Sequence, residues 1–351
     1  MIKKTGNFSQ LQQQLDTERR LVSFDSYDMT IKQIYDMFAA GDIFVPPEYQ
    51  RQFVWDPVRE SELIESVFLG IPVPSLFMAT NADATWEIVD GVQRLSTVAH
   101  YIGDNIDLLD SINRKGALEL NKLEKLSTLN GQKFEDLPRS VQLMFMTRPI
   151  RVTVLNDKSD LSVRFDLFER LNTGGILLTN QEIRNCIFRG KFNDSLKKMS
   201  KLDDFKVVVR LKESDSKNGT AEEYVLRYLA YLYNYENFEK SVKGFLNDYM
   251  KANSERALAA KKLTLFKNVL SKLAAAFPGG LSRGQSSITP ANLFEAISVG
   301  TALAIEEGVV IDTVKLQALV SDSELKKITT AGTNNKKMVT GRIHYVRDFL
   351  K

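Results

Sequence analysis

Strand-forming runs in this chain stop near residue 190. Before that point extended apolar stretches at 73–79, 85–89 and 149–155 alternate with helical patterns. Beyond Gly190 only helical periodicities remain, near 221–236, 238–277, 290–307 and 336–350. A sequence divided in this way predicts an α+β domain followed by an all-α C-terminal domain. The expected organisation is an N-terminal arm over 1–24, a mixed domain over 25–190 and a helical domain over 191–351. A length of 351 residues suits two domains. Apolar residues at 43% and charged residues at 26% fit a folded globular chain rather than a disordered one.

Local signals place the elements. Thr30 and Gln33 form a capping box ahead of Ile31, Ile34, Tyr35 and Phe38, with Gly41 as the stop. Asp56 and Pro57 read as N-cap and N1 of a helix reaching about Leu69, which Gly70 ends. Residues 73–79 and 85–89 read as a hairpin. Leucine alternation over 104–135 suggests small strands or irregular structure. Thr179 and Glu182 form a second capping box. Between the first two helices, the prolines of Ile43-Phe44-Val45-Pro46-Pro47-Glu48-Tyr49-Gln50-Arg51-Gln52-Phe53-Val54-Trp55 exclude helix and central strand.

The stretch with the clearest chemistry is Trp86-Glu87-Ile88-Val89-Asp90-Gly91-Val92-Gln93-Arg94-Leu95. A strand runs into an acid and a glycine, and a helix starts at once. Open backbone amides and the helix dipole at such a point favour an anion. Asp90 adds an acceptor or a Mg²⁺ ligand, Arg94 a fork of donors, and Gln93 a group able to orient water. The bland alternative has Asp90 capping the helix and Arg94 paired with a surface acid. Arg51 is either a second phosphate clamp or a cation stacked on Tyr49 or Trp55. Asn172-Thr173-Gly174-Gly175 either lines the site or makes a permissive turn.

Three stretches in order carry a resemblance. They are Pro47 to Trp55, Ile88 to Thr97, and Phe168 to Gly175 with Leu178 to Asn185. Over about 25–190 the sequence resembles the N-terminal domain of the GmrSD type IV restriction enzymes, within the ParB/sulfiredoxin-like superfamily. The resemblance implies a ParB-like fold that binds and often hydrolyses nucleoside triphosphates, in a setting of bacterial defence against phage or foreign DNA. On that basis Asp90, Gln93 and Arg94 are the candidate catalytic residues. Gln50, Arg51, Gly91, Arg94, Asn172 and Thr173 are the candidate nucleotide-binding residues, and Asp90 is the metal ligand if hydrolysis occurs. One position departs from the family pattern: Val92 stands where the family places a glutamine. The family's frequent His-Asn-His nuclease has no counterpart here, since the chain has only His100 and His344. The chain therefore reads as a stand-alone sensor, with a separately encoded nuclease or effector, DNA and a second copy of the chain as expected partners. The rival readings are a nucleotide-gated DNA-binding or scaffold protein without turnover, and a ParB-like DNA nuclease.

Charge and cysteine content narrow the setting. The net charge is +3, but 322–351 carries seven Lys/Arg against three Asp/Glu. That tail is either a solvated helix face or a nucleic-acid contact through Lys336, Lys337, Arg342 and Arg347. His344, beside them, is a weaker phosphate candidate. Cys186 is the only cysteine, which excludes an internal disulfide and a zinc cluster of several thiolates. No apolar run reaches the ~18 residues needed to span a bilayer. The first residues lack a signal-peptide core, so a cytoplasmic protein without a membrane partner is expected. No P-loop, G-x-S-x-G elbow or H-E-x-x-H pair occurs.

Overall fold

The computed structural model describes residues 8–19, 23–47, 53, 55–156, 161–171, 178–239, 241–284, 286–330, 332 and 334–351. The chain divides into two compact units, Met1–Leu177 and Leu178–Lys351.

The first unit is α+β. Its elements run α1 (Phe8–Arg19), β1 (Phe24–Thr30), α2 (Ile31–Ala40), β2 (Ile43–Phe44), α3 (Pro57–Leu69), β3 (Leu76–Thr80) and β4 (Trp86–Asp90). They continue with α4 (Val92–Ile102), α5 (Ile106–Ser111), α6 (Arg139–Met146), β5 (Pro149–Leu155) and α7 (Leu161–Leu171). The strands form one sheet in the order β1-β5-β3-β4-β2. β1 pairs antiparallel with β5, β5 parallel with β3, β3 antiparallel with β4, and β4 parallel with β2. Tyr27 of β1 stacks on Trp86 of β4 at 5.8 Å although two strands lie between them, so the sheet is strongly curved. The caps behave as their residues dictate. Thr30 and Gln33 close a reciprocal box on α2, and Asp56 accepts from the Val58 and Arg59 amides at the start of α3. Over 104–135, where small strands or irregular structure are expected, the described residues form no strand and the irregular reading holds. That segment is α5 followed by irregular chain with 3₁₀ turns at Ser127–Leu129 and Phe134–Asp136, pinned by buried Leu118, Leu120, Leu123 and Phe134. Phe134, Tyr101, Phe68 and Phe145 meet edge to face or tilted, with centroids 5.1–6.4 Å apart, and hold α3, α4 and α6 together.

Every described element of the second unit is helical. These are α8 (Asn180–Ile187), α9 (Lys191–Met199), α10 (Asp203–Val208), α11 (Thr220–Asn234), α12 (Val242–Asn253) and α13 (Ala260–Ala276). After them come α14 (Ala291–Glu306), α15 (Thr313–Ser321), α16 (Ser323–Thr329) and α17 (Lys336–Leu350), with short 3₁₀ turns between some helices. α14 is buried along nearly its whole length. It packs closely on α17 because Gly300 has no Cβ; one added there would lie 2.6 Å from Val346 Cβ. Charge is threaded through this core. Arg184 donates to Glu223 at 3.0 Å, Arg227 bridges Glu223 and Glu295 at 2.8 and 2.5 Å, and Arg342 donates to Glu295 at 2.5 Å.

That ladder overturns one expectation. Arg342 is not a nucleic-acid contact: it is fully buried. Val339, Ile343, Val346 and Leu350 define the inward face of α17, and position 342 lies on it. Arg347 is half-buried between Asp348 and Glu307, at 2.7 and 3.8 Å. Of the four tail cations, Lys336 and Lys337 are the exposed ones. His344 packs its ring on Tyr235 and shares a 2.8 Å hydrogen bond with the Tyr235 hydroxyl. Burial, then the charge of Arg347, holds its pKa below the ordinary histidine value.

Removing one partner of a buried ion pair leaves an uncompensated charge, so Arg342→Ala lowers the urea-unfolding free energy by about 3–5 kcal/mol. Lys336→Ala changes it by less than about 0.5 kcal/mol. Glu223 couples the stability of this unit to acid pH. Burial pushes its pKa up, but Arg227 and Arg184 outweigh that and hold it below the usual 4.5. Its contribution is therefore complete above 4.5 and is lost as pH falls through the lower folded value. Urea midpoints for the wild type are expected to fall more steeply on acidification below 4.5 than those of Glu223→Gln.

Candidate functional site

The turn after β4 begins with a fault in strand pairing. Phe77 faces Asp90 while Met78 faces Ile88, so Val89 is an extra residue on β4. Such a bulge re-aims the side chain that follows it. Glu87, Ile88 and Val89 are all buried, and Asp90 emerges part-exposed at the strand end. Gly91 then takes φ +103°, in the left-handed region. A Cβ there would lie 2.4 Å from Leu76 Cδ2 and 3.0 Å from Arg94 Nη2, so both backbone and space demand glycine.

α4 starts immediately, with Leu95 N–H donating to Gly91 C=O at 2.9 Å. Gly91 is the N-cap and offers no side chain, so no side-chain cap reaches the first amides of the helix. One turn on, Arg94 Nη2 donates to Asp90 Oδ2 at 2.6 Å; their side chains are 13% and 30% exposed. This pair of opposite charges beside open amides is the centre of the site. Val92 points into the core at 6% exposure. Behind Arg94, Ile31, Ile34, Leu76, Leu95, Val98 and Ile150 enclose a cavity of about 10 Å³. That is room for one water at most, so a ligand must approach from the open side.

Gln93 faces a different neighbour. Its Oε1 accepts from the Trp55 amide at 3.3 Å, which ties the end of the proline-rich stretch to the turn. The Trp55 carbonyl in turn accepts from Arg114 at 3.0 Å. Arg114 also donates to Glu60 Oε1 at 2.8 Å and lies over the Phe53 ring at 4.3 Å. The other oxygen of Glu60 meets His100 Nδ1. Glu60 is fully buried. Sequence reading assigned nothing to Glu60 or Arg114. Glu60 sits where a helix start welcomes an acid, and its partners lie 40 and 54 residues away. The Trp55 ring carries Arg59, at 4.8 Å.

The structure thus brings Asp90, Gly91, Gln93 and Arg94 into one turn and links it to Trp55. Gln50, Arg51, Asn172 and Thr173 lie outside the described residues, as does the rest of the Asn172–Gly175 loop. Among the described residues no group of three His, Cys, Asp or Glu side chains could hold a metal ion. No described helix is long and apolar enough to cross a membrane.

Gly91→Ala places a methyl group against Leu76 in a strained backbone, and is expected to lower stability by about 1–3 kcal/mol in a thermal or urea melt. Glu60→Ala, which strands Arg114 and His100, is expected to cost about 3 kcal/mol or more by the same measurement.

Residues 31–189 match the family described as GmrSD restriction endonuclease, N-terminal domain. All three sequence stretches lie inside the matched segment, and the association is with a restriction-type defence domain. No curated protein and no solved structure matches the chain.

Proposed function

We propose that the first unit binds a nucleoside triphosphate at the β4–α4 turn and serves as the nucleotide-sensing part of a restriction-type defence protein. The observation that carries this reading is the Arg94–Asp90 pair, 2.6 Å apart, standing at an uncapped helix start inside the segment that matches the GmrSD N-terminal family. A polyphosphate is drawn to such a place by the open amides, the helix dipole and the guanidinium. Arg94 exchanges its Asp90 partner for phosphate oxygens. Asp90, released, is the one carboxylate of the turn suited to a magnesium ion, which the triphosphate's own oxygens would largely hold. When bound, that ion neutralises charge on the β- and γ-phosphates. Gly91 is what lets the backbone come this close.

Turnover is the second reading, and the geometry weighs against it. Catalysis of hydrolysis needs a group that positions water. The Gln93 carbonyl oxygen already accepts from Trp55, and Val92 is packed in the core. Binding as a gate, with the Gln93–Trp55 link relaying occupancy to the proline-rich stretch, is therefore preferred over hydrolysis. A separately encoded nuclease or effector and DNA are the partners this role requires.

Calorimetric titration of the full chain with each nucleoside triphosphate and Mg²⁺ tests the proposal. Arg94→Ala is expected to weaken binding roughly 10- to 100-fold, the loss of one or two charge-assisted hydrogen bonds. Wild-type affinity in Arg94→Ala, or no binding by the wild type, overturns it. Phosphate release above background that Arg94→Ala abolishes would establish turnover in place of gating, and nicking of plasmid DNA by the purified protein would point to nuclease chemistry.

A further inference from the structure

The tail over 322–351, net +4, is not the most basic stretch of the chain. Between Lys251 and Arg283 seven Lys/Arg stand against a single acid, Glu255. Most of that excess is on α13, which has four lysines and no acid in 17 residues. Its inward face is Phe266, Val269, Leu270, Leu273 and Ala276. Lys262 leaves the outer face to sit over the Tyr233 ring at 3.9 Å. The remaining lysines, Lys261, Lys267 and Lys272, share the outward arc with Thr264, Asn268 and Ser271.

Three lysines elsewhere in the second unit are neutralised by nearby acids. Lys206 reaches Asp203, Lys327 reaches Glu324, and Lys351 reaches Glu307 and Asp348. Lys261, Lys267 and Lys272 make no ion pair among the described residues. At the head of the row, Ala259 supplies no side-chain cap, so open helix amides lie next to Lys261. At its foot, exposed Arg210 packs over Gly280.

We infer that the outward face of α13 docks on the sugar–phosphate backbone of a nucleic-acid duplex. The partner follows from the chemistry of the face. At 1.5 Å per residue the three lysines are spaced by roughly 9 and 7.5 Å and span about 16 Å. A duplex presents a phosphate every ~3.4 Å along each strand, so such a row meets several of them. The hydroxyl and amide groups between the lysines are the usual auxiliary donors to phosphate oxygens. A membrane-surface helix would interleave its cations with large apolar side chains, and this arc has none. A single-strand platform would offer aromatic rings for bases to stack on, and none stands on this arc. The contact is therefore to backbone and blind to sequence. It does not rest on nucleotide binding by the first unit.

The test is fluorescence anisotropy of a labelled random-sequence duplex with the full-length protein over a series of salt concentrations. Each phosphate contact adds about −0.9 to the slope of log K against log salt. Substituting Lys261→Gln, Lys267→Gln and Lys272→Gln together is expected to flatten that slope by nearly three and to weaken binding at least about tenfold at low salt. Lys336→Gln with Lys337→Gln is expected to leave both unchanged. The three single variants, each expected to lower the slope by about one, give the same answer if the triple variant misfolds. Unchanged slope and affinity in the α13 variants, or no duplex binding by the wild type at low salt, overturns the inference. Binding to phosphatidylserine vesicles without binding to duplex overturns it too, and assigns the face to membrane surfaces.

Discussion

Glu60 is the constraint on which the surroundings of the β4–α4 turn depend. It is a carboxylate with no exposure to water, and a buried charge persists only if its partners are geometrically fixed. One oxygen is given to Arg114 and the other to His100. Those partners come from the loop after α5 and from α4, so the acid on the first turn of α3 fastens three separate pieces of chain. Arg114 passes the constraint on, holding the Trp55 carbonyl while Gln93 holds the Trp55 amide. The segment bearing Phe53 and Trp55 is thereby set against the helix that starts at Gly91. The β4–α4 turn is held in place because a polar knot some distance from it fixes the neighbouring backbone.

The second unit solves a comparable problem differently. Its helices bury long stretches of leucine, phenylalanine and tyrosine, and apolar faces slide past one another at little cost. The ladder from Arg184 through Glu223, Arg227 and Glu295 to Arg342 makes register specific. α8, α14 and α17 each contribute one charge and α11 two, and the pairs join only when the four helices stand at matching levels. Gly300 adds a steric counterpart, permitting α17 to approach α14 at one level. With these cations spent inside, the remaining ones stand on surfaces the ladder does not reach, the outer arc of α13 among them.

Much of the fold was legible because it is written locally. The Thr30–Gln33 and Thr179–Glu182 boxes, the Asp56-Pro57 start and the Gly41 and Gly70 stops each need only a few consecutive residues, and each forms as read. The Asp90-Gly91 turn was legible for the same reason. What stayed hidden is non-local. Arg342 looked like a surface cation because Glu295, its partner, is 47 positions away; the spacing of Val339, Ile343 and Val346 was the available signal that its face turns inward. Glu295 itself, an acid within the apolar run of α14, was the other. The leucines over 104–135 fit small strands or irregular structure equally well from local pattern, and the irregular form wins because they anchor turns individually. The self-pairing of Asp90 with Arg94 was also unforeseen, since i,i+4 partners at a helix start compete with any ligand either might hold.

The extra residue at Val89 has a consequence of its own. An ordinary strand keeps a two-beat rhythm, one side chain in and the next out, and everything downstream inherits the phase. Here one beat is doubled. Because the bulge resets the phase one residue before the turn, the rhythm of the hairpin and the direction of Asp90 are decoupled. Exchanges that preserve the size of Ile88 or Met78 leave the acid where it is. Losing a single residue between Trp86 and Val89 would restore a regular ladder and, in doing so, rotate the acid away from Arg94 toward the opposite side of the sheet. The irregularity is thus the timing element of the hairpin, and a more regular strand would be a less useful one.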